Sequence, residues 1–225
     1  MFFRDVIGQE EIKQRLIQEV NEGRIPHAQL ICGPEGVGKM PLAIAYARYI
    51  SCTNRGETDA CGTCPSCVKF NKLVHPDVHF VFPIVKSAKG KKEVCDDYIA
   101  DWRPFVINHP YFNLNHWLGE MDAENSQALI YAKESDEILK KLIEKQVGLE
   151  VNTGGYHYGL GEPNPCTAVI RRYRQLGGEI ITIGADAHTP DKIGYDFDKA
   201  ALVLKECGFD YYTVFKERKP EFIKL

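Results

Sequence analysis

Four cysteines, Cys52, Cys61, Cys64 and Cys67, fall within 16 consecutive positions of this 225-residue chain. Their spacing is Cys-x8-Cys-x2-Cys-x2-Cys, two overlapping Cys-x-x-Cys knuckles preceded by a further thiol. A reducing compartment keeps thiols out of disulfides, so such a cluster points first to metal. Four thiolates complete a tetrahedral zinc site and leave no open position, which makes the role structural rather than catalytic. Free reduced thiols and an iron–sulfur cluster are the alternatives. The stretch 52–67 therefore reads as an irregular excursion whose folding metal binding would support.

The surroundings are those of an ordinary soluble protein. The chain is 44% apolar and 26% charged, which excludes collagen-like, coiled-coil and wholly disordered classes. No run approaches the roughly 18 apolar residues of a membrane span. The opening MFFRDVIGQEE holds no apolar stretch long enough for a secretory signal, so a cytoplasmic location without membrane contact is expected. The net charge of −3 gives no global basic field for nucleic acid. DNA contact would need a local patch or a partner subunit.

Periodicity predicts a helix over 10–22, with Ile12, Leu16, Ile17 and Val20 on one face and Gly23 as its stop. Residues 28–32 (AQLIC) read as a buried strand, 33–38 as a glycine-rich loop, and 41–50 as a helix with Pro41 in its first turn. A second strand is expected over 78–82, a basic loop carrying Lys86, Lys89, Lys91 and Lys92 over 86–92, and helices over 93–107 and 124–145. The texture then changes. Strands at 148–152, 179–183 and 210–215 alternate with helices at 166–176 and 191–207, and a turn-rich loop fills 153–165. Such βαβαβ alternation implies a parallel sheet or a barrel segment. Trp102 and Trp117 read as core anchors, and Tyr156, Tyr158, Arg171, Arg172 and Arg174 as surface and loop packing.

Gly33-Pro34-Glu35-Gly36-Val37-Gly38-Lys39-Met40 fits the phosphate-loop pattern GxxxxGK up to its last position. The glycines let backbone N–H groups converge on phosphate oxygens, the helix start adds partial positive charge, and the lysine serves the outer phosphates. The next residue should be a Ser or Thr that holds Mg²⁺. Met40 cannot do so, which leaves the hydrolytic site incomplete.

FRDVIGQEEIKQRL, RIPHAQLICGPEGVGK, the four-cysteine insertion and HPDVHFVFP together resemble the N-terminal part of the bacterial clamp-loader delta-prime subunits of DNA polymerase III, of AAA+ ancestry. The resemblance covers about residues 1–137. It implies Val6, Ile7 and Gly8 near a nucleotide base, Gly33, Gly36, Val37, Gly38 and Lys39 near phosphates, and the four cysteines on Zn²⁺. It also implies ATP or ADP bound without hydrolysis, and Met40 fits that better than an ATP-hydrolysing partner. The implied partners are other clamp-loader subunits and the sliding clamp, with DNA reached through them. The sequence departs from the family beyond Phe82. No apolar run ending in acidic residues, the Walker B strand, lies between Phe82 and Glu137, and no Ser-Arg-Cys arginine finger occurs.

EIITIGADAH places Asp186 and His188 just past an apolar strand. On an extended segment these two positions point the same way, so carboxylate and imidazole could converge on one divalent metal. An ordinary turn cap and a surface histidine are the alternative. GLEVNTGGYHYGLGEPNP, YRQLGGEIITIGADAHTPDKIGYDFDKA and CGFDYYTVFKERKP resemble the C-terminal end of a histidinol-phosphate phosphatase of the PHP (polymerase and histidinol phosphatase) family, over about residues 138–225. That family is a distorted β/α barrel with metals at the C-terminal ends of its strands, and Asp186 and His188 match its last motif. Its N-terminal His-x-His is absent here. His27, His75, His79, His109 and His116 match no PHP motif, so two ligands are too few to activate a water.

The expected architecture is thus α/β: a truncated P-loop AAA+ sheet with a four-Cys zinc insertion over 1–137, then the last βα units of a PHP-type barrel over 138–225. The join falls within SDEILKKLIEK (135–145), inside an expected helix rather than a Pro/Gly/Ser linker, which suggests a chimera of two parents. The expected function is that of a delta-prime-like clamp-loader subunit without ATPase activity. The alternatives are a PHP phosphatase acting on histidinol phosphate, or a hybrid with neither function.

Overall fold

The computed structural model describes residues 1–26, 28–86 and 93–225. Lys89, Lys91, Lys92 and His27 lie outside the described residues. The chain is mixed α/β and divides into two compact units, Met1–Ile130 and Tyr131–Leu225.

The first unit is built from helices. Helix α1 (Glu10–Asn21) buries Leu16 and Val20 and ends at Gly23, whose φ of 68° closes it as the sequence implies. Ile12 departs from the expected apolar face and is largely exposed. Lys13 takes the inner position instead, and its ammonium donates to the Val6 carbonyl (2.6 Å) and to Glu10 (2.8 Å). Helix α2 (Lys39–Ser51) buries Leu42, Ile44, Ala45, Tyr46 and Tyr49. Its inner face packs with Phe3, Val6, Leu16 and Val20 into one core that also contains Cys52 and Cys67. Helix α3 (Pro65–Phe70) follows the cysteine loop. Helix α4 (Ile99–Asn108) continues a 3-10 turn at Cys95–Tyr98, and α5 spans Leu114–Glu120. These carry an aromatic cluster in which Trp102 stacks on Phe82 (4.0 Å, 8°) and meets Trp117 edge-on (4.8 Å).

The expected P-loop sheet is not formed: among the described residues, the first unit contains no strand. Residues 28–32 run as irregular chain with Leu30 87% exposed, and 78–82 likewise lack a ladder. A strand is satisfied only by a neighbour, and the sequence offers none of the Walker B type. Side chains take over the backbone groups around residue 83. Trp117 Nε1 donates to the Pro83 carbonyl (2.9 Å), Tyr98 Oη to Val85 (2.6 Å), and Cys95 Sγ to Phe82 (3.2 Å). One isolated bridge, Ile84 with Leu129, is the β-type pairing present. The helix expected over 124–145 forms only over Ala132–Glu144 (α6), while α5 arises where none was expected, capped by Asn113 accepting from the His116 N–H (3.1 Å).

The second unit holds β1 (Leu149–Asn152), the short turn α7 (Gly154–His157), α8 (Thr167–Gln175), β2 (Ile181–Gly184), α9 (Phe197–Glu206), β3 (Tyr211–Lys216) and β4 (Lys219–Lys224). β1 and β2 pair in parallel, Leu149 with Ile181 through Asn152 with Gly184, giving the expected βαβ unit. β3 does not extend this ladder. It pairs antiparallel with β4, and its Thr213 hydroxyl takes the Ile181 N–H (3.3 Å) that a third parallel strand would use. The strands therefore form two two-stranded sheets rather than one parallel run. Val151, Ile170, Tyr173, Ile181, Ala200 and Leu204 make the core. Arg172 of α8 grips Asp136 of α6 with two bonds (2.8 and 2.7 Å), which holds the Asp136 carboxyl below the usual carboxylate range.

Candidate metal centre and glycine-rich loop

Cys52 ends α2, Cys61 sits on the loop after it, Cys64 caps α3 and Cys67 lies in the first turn of α3. Their Sγ atoms all fall within 4.8 Å of one another, with Cys52–Cys64 at 3.9 Å and Cys61–Cys67 at 4.0 Å. Zn–S bonds of about 2.3 Å in a tetrahedron place sulfurs about 3.8 Å apart, so the cluster has the dimensions of a four-thiolate ion site. Backbone N–H groups already point at the sulfurs: Cys61 N at Cys52 Sγ (3.4 Å), Cys64 N at Cys61 Sγ (3.3 Å) and Cys67 N at Cys64 Sγ (3.5 Å). The Cys67 N–H, then Thr53, lower the Cys64 thiol to about 5. N–H groups of Cys64 and Thr63 lower Cys61 as well, whereas burial pushes Cys67 up to about 12. A bound cation would offset that burial and hold all four as thiolates.

The spacing of the cysteines displays the four thiols but not their support. Arg48 is fully buried beside them, donating to the Cys67 carbonyl (2.7 Å), the Met1 carbonyl (3.1 Å) and Asn71 Oδ1. Its guanidinium lies 3.8 Å over the Phe2 ring, which packs on Gly62 between two of the cysteines. Asp59 ties the same loop to the chain start by accepting from the Phe3 and Arg4 N–H groups (3.2 and 3.1 Å). No sequence pattern marks Arg48, because its partners lie on other elements.

The glycine-rich loop leads into α2 through Gly38, left-handed at φ 93°. Lys39 folds back, its Nζ donating to the Gly33 and Pro34 carbonyls (2.7 and 2.6 Å). Gln9 bonds the Val37 carbonyl (3.1 Å), so the segment holding Val6, Ile7 and Gly8 lies beside Gly36, Val37 and Gly38. Val6 is buried and Ile7 75% exposed. Tyr111, unmarked in the sequence, joins the two: its hydroxyl accepts the Ile7 N–H (2.7 Å), and its ring packs on Gly38, where a methyl group would lie 2.9 Å from Cε1. A cavity of about 380 Å³ opens between this loop and the aromatic cluster.

Asp186 and His188 border a separate cavity of about 230 Å³ with His157, Lys192 and Tyr195. Asp186 has φ 50°, which breaks the extended alternation that would aim both side chains one way. His188 Nδ1 instead lies 2.8 Å from the Asp186 carbonyl. Among the described residues, the four cysteines are the group of three or more His, Cys, Asp or Glu that could hold a metal; Asp186 and His188 gain no third member. His157 Nδ1 lies 3.5 Å from Lys192 Nζ at this cavity.

Residues 8–118 match the family model described as DNA polymerase III, delta subunit. Two likenesses meet in this chain. A probable histidinol-phosphatase from Thermotoga maritima is 31% identical over 126 residues, covering 54% of this chain and 52% of that protein. Its counterpart from Clostridium acetobutylicum is 29% identical over 144 residues, 60% of this chain and 54% of that protein. A DNA polymerase III subunit gamma/tau from Mycoplasma genitalium is 28% identical over 109 residues, 48% of this chain and 17% of that protein. The chain spans about half the length of its phosphatase relatives and a smaller part of the gamma/tau relative. A match over 54% of the chain is longer than residues 138–225, so the phosphatase likeness takes in residues ahead of 138. No helix among the described residues is long and apolar enough to cross a membrane.

Proposed function

We propose that residues 1–137 serve as a delta-prime-type clamp-loader module that binds Zn²⁺ through Cys52, Cys61, Cys64 and Cys67. The observation that carries this reading is the DNA polymerase III delta match over residues 8–118 together with the ion-sized cysteine cluster inside it. The module's work is assembly: a metal-braced surface that joins other loader subunits and, through them, the sliding clamp and DNA. Gly33 to Lys39 and Val6 to Gly8 retain nucleotide without turning it over, since Met40 offers no oxygen for Mg²⁺. Co-expression of the tagged full chain with gamma/tau-type and delta-type subunits tests this. Stable co-purification is expected, and recovery of the chain alone would overturn the reading.

A second reading rests on the phosphatase likeness, whose matched stretch is longer than residues 138–225 alone. It requires metals that activate water, and Asp186 and His188 supply two ligands. The same preparation, assayed with Mn²⁺, Zn²⁺ or Fe²⁺, is expected to release no phosphate from histidinol phosphate. Turnover would restore this reading, whereas its absence alongside failed co-purification would leave a hybrid with neither function.

A further inference from the structure

Arg48 is fully buried on α2, and the oxygens it bonds are all neutral. They are the carbonyls of Met1 (3.1 Å) and Cys67 (2.7 Å) and the side-chain amide of Asn71. Its Nε has no hydrogen-bond partner among the described residues. Asp59, a carboxylate of the adjoining loop, is engaged elsewhere. It accepts from the Phe3, Arg4 and Ala60 N–H groups and pairs with the Arg4 guanidinium (3.6 Å). The Phe2 ring covers the buried guanidinium, with Arg48 Cζ 3.8 Å and Arg4 Cζ 3.9 Å from its centre. An arginine cannot shed its proton to escape burial, as a lysine can. A buried cation held only by neutral oxygens is strongly destabilising unless an anion lies within reach.

The four-cysteine cluster becomes such an anion when it holds a divalent ion. Four thiolates around one such ion carry a net charge of about −2. Arg48 stands one hydrogen bond from them: the carbonyl it grips belongs to Cys67, whose Sγ lies within 4.8 Å of the other three. The N–H groups aimed at the sulfurs are dipoles and leave that net charge unchanged. We propose, on the zinc reading of the cysteines, that Arg48 is the buried counter-charge of the tetrathiolate centre. It favours the metal-loaded state by offsetting part of the negative charge. The linkage is reciprocal, so the loaded centre also stabilises the guanidinium inside α2. A bracing role would need only the hydrogen bonds to Met1, Cys67 and Asn71, whereas this role needs the charge itself.

Zinc affinity of the full chain is measured by competition with a chromogenic chelator, and the iron-substituted chain gives a ferric/ferrous potential. A ferrous tetrathiolate is one charge more negative than the ferric form, so a nearby cation favours it. Arg48→Met keeps a long stem and removes the charge. It is expected to weaken zinc binding at least about tenfold. The potential should fall by about 59 mV, the one-electron equivalent of tenfold. Arg48→Lys keeps the charge and loses the fork, and its potential should stay at that of the unsubstituted chain. Asn71→Asp is nearly isosteric and sets a carboxylate against the guanidinium, bracing it more firmly while cancelling its charge. Asn71 is exposed, so solvent screening limits the expected loss of zinc affinity to about threefold. A bracing role predicts no loss in this variant, which carries the test if Arg48→Met misfolds. Unchanged zinc affinity and potential in Asn71→Asp would overturn the counter-charge role. So would a potential in Arg48→Lys as low as in Arg48→Met. An unsubstituted chain that binds no zinc would overturn the zinc reading as well.

Discussion

Stripping the metal from the purified chain with a strong chelator is expected to melt most of the first unit. About one zinc ion per chain should be released. The reason lies in where the cysteines sit. Cys52 and Cys67 belong to the same buried cluster as Phe3, Val6, Leu16, Leu42 and Tyr49, so the four-cysteine cluster is continuous with the core. Without a cation, burial favours the protonated Cys67 thiol, the N–H···S contacts weaken to those of neutral sulfur, and the 52–67 loop is left to a few scattered bonds, among them Asp59 with the chain start, Arg48 with the Cys67 carbonyl and Tyr49 with the Gly56 carbonyl. Structural zinc contributes about 10–16 kcal/mol of apparent binding free energy in small domains, comparable with or above the roughly 5–15 kcal/mol of a whole domain's stability. Cys64→Ser should act in the same direction as the chelator. Acidification should too, since protons compete with the ion for thiolates. Metal release by a chromogenic chelator, followed in parallel with tryptophan fluorescence, checks this. Fluorescence that stays native after complete metal removal would show that the core alone carries the unit.

What could be read from the sequence was whatever depends on neighbours along the chain. The 10–22 periodicity and Gly23 give α1 because a helix closes its own hydrogen bonds. The cysteine spacing gives a cluster that could hold an ion because two knuckles carry their own geometry. The 28–32 strand fails for the opposite reason: AQLIC has a strand's composition, but a strand exists only as one of a pair. β4 escapes notice because its hairpin turns at Glu217 and Arg218, both left-handed (φ 51° and 64°), where Asn-Gly would have announced it. α5 was legible in principle through its Asn113 cap. Arg48 and Tyr111 were not, since each acts on segments far away in sequence. The Asp186–His188 spacing was read on an extended backbone that the left-handed Asp186 does not adopt.

Leu204→Ala is expected to cost about 3–5 kcal/mol and to unfold much of the second unit. Leu204 is fully buried on α9 and packs with Ala200, Ile170 and Tyr173 over Val151 and Ile181 of the parallel pair. Each strand of that pair is four residues long, and β3 turns away to β4, so few side chains share the load. Removing the isobutyl group leaves a void that a short sheet with one ladder cannot close without losing register. Leu202→Ala is the control on the same helix: Leu202 is 61% exposed, and its truncation should stay within about 0.5 kcal/mol. Both tryptophans lie in the first unit, so their fluorescence will not follow this change. Amide hydrogen exchange of residues 149–152 and 181–184 will, and these strands should lose most of their protection in Leu204→Ala while keeping it in Leu202→Ala. Equal protection in the two variants would mean that α9 is not what covers the parallel strands, and the βαβ packing described for this unit would have to be redrawn.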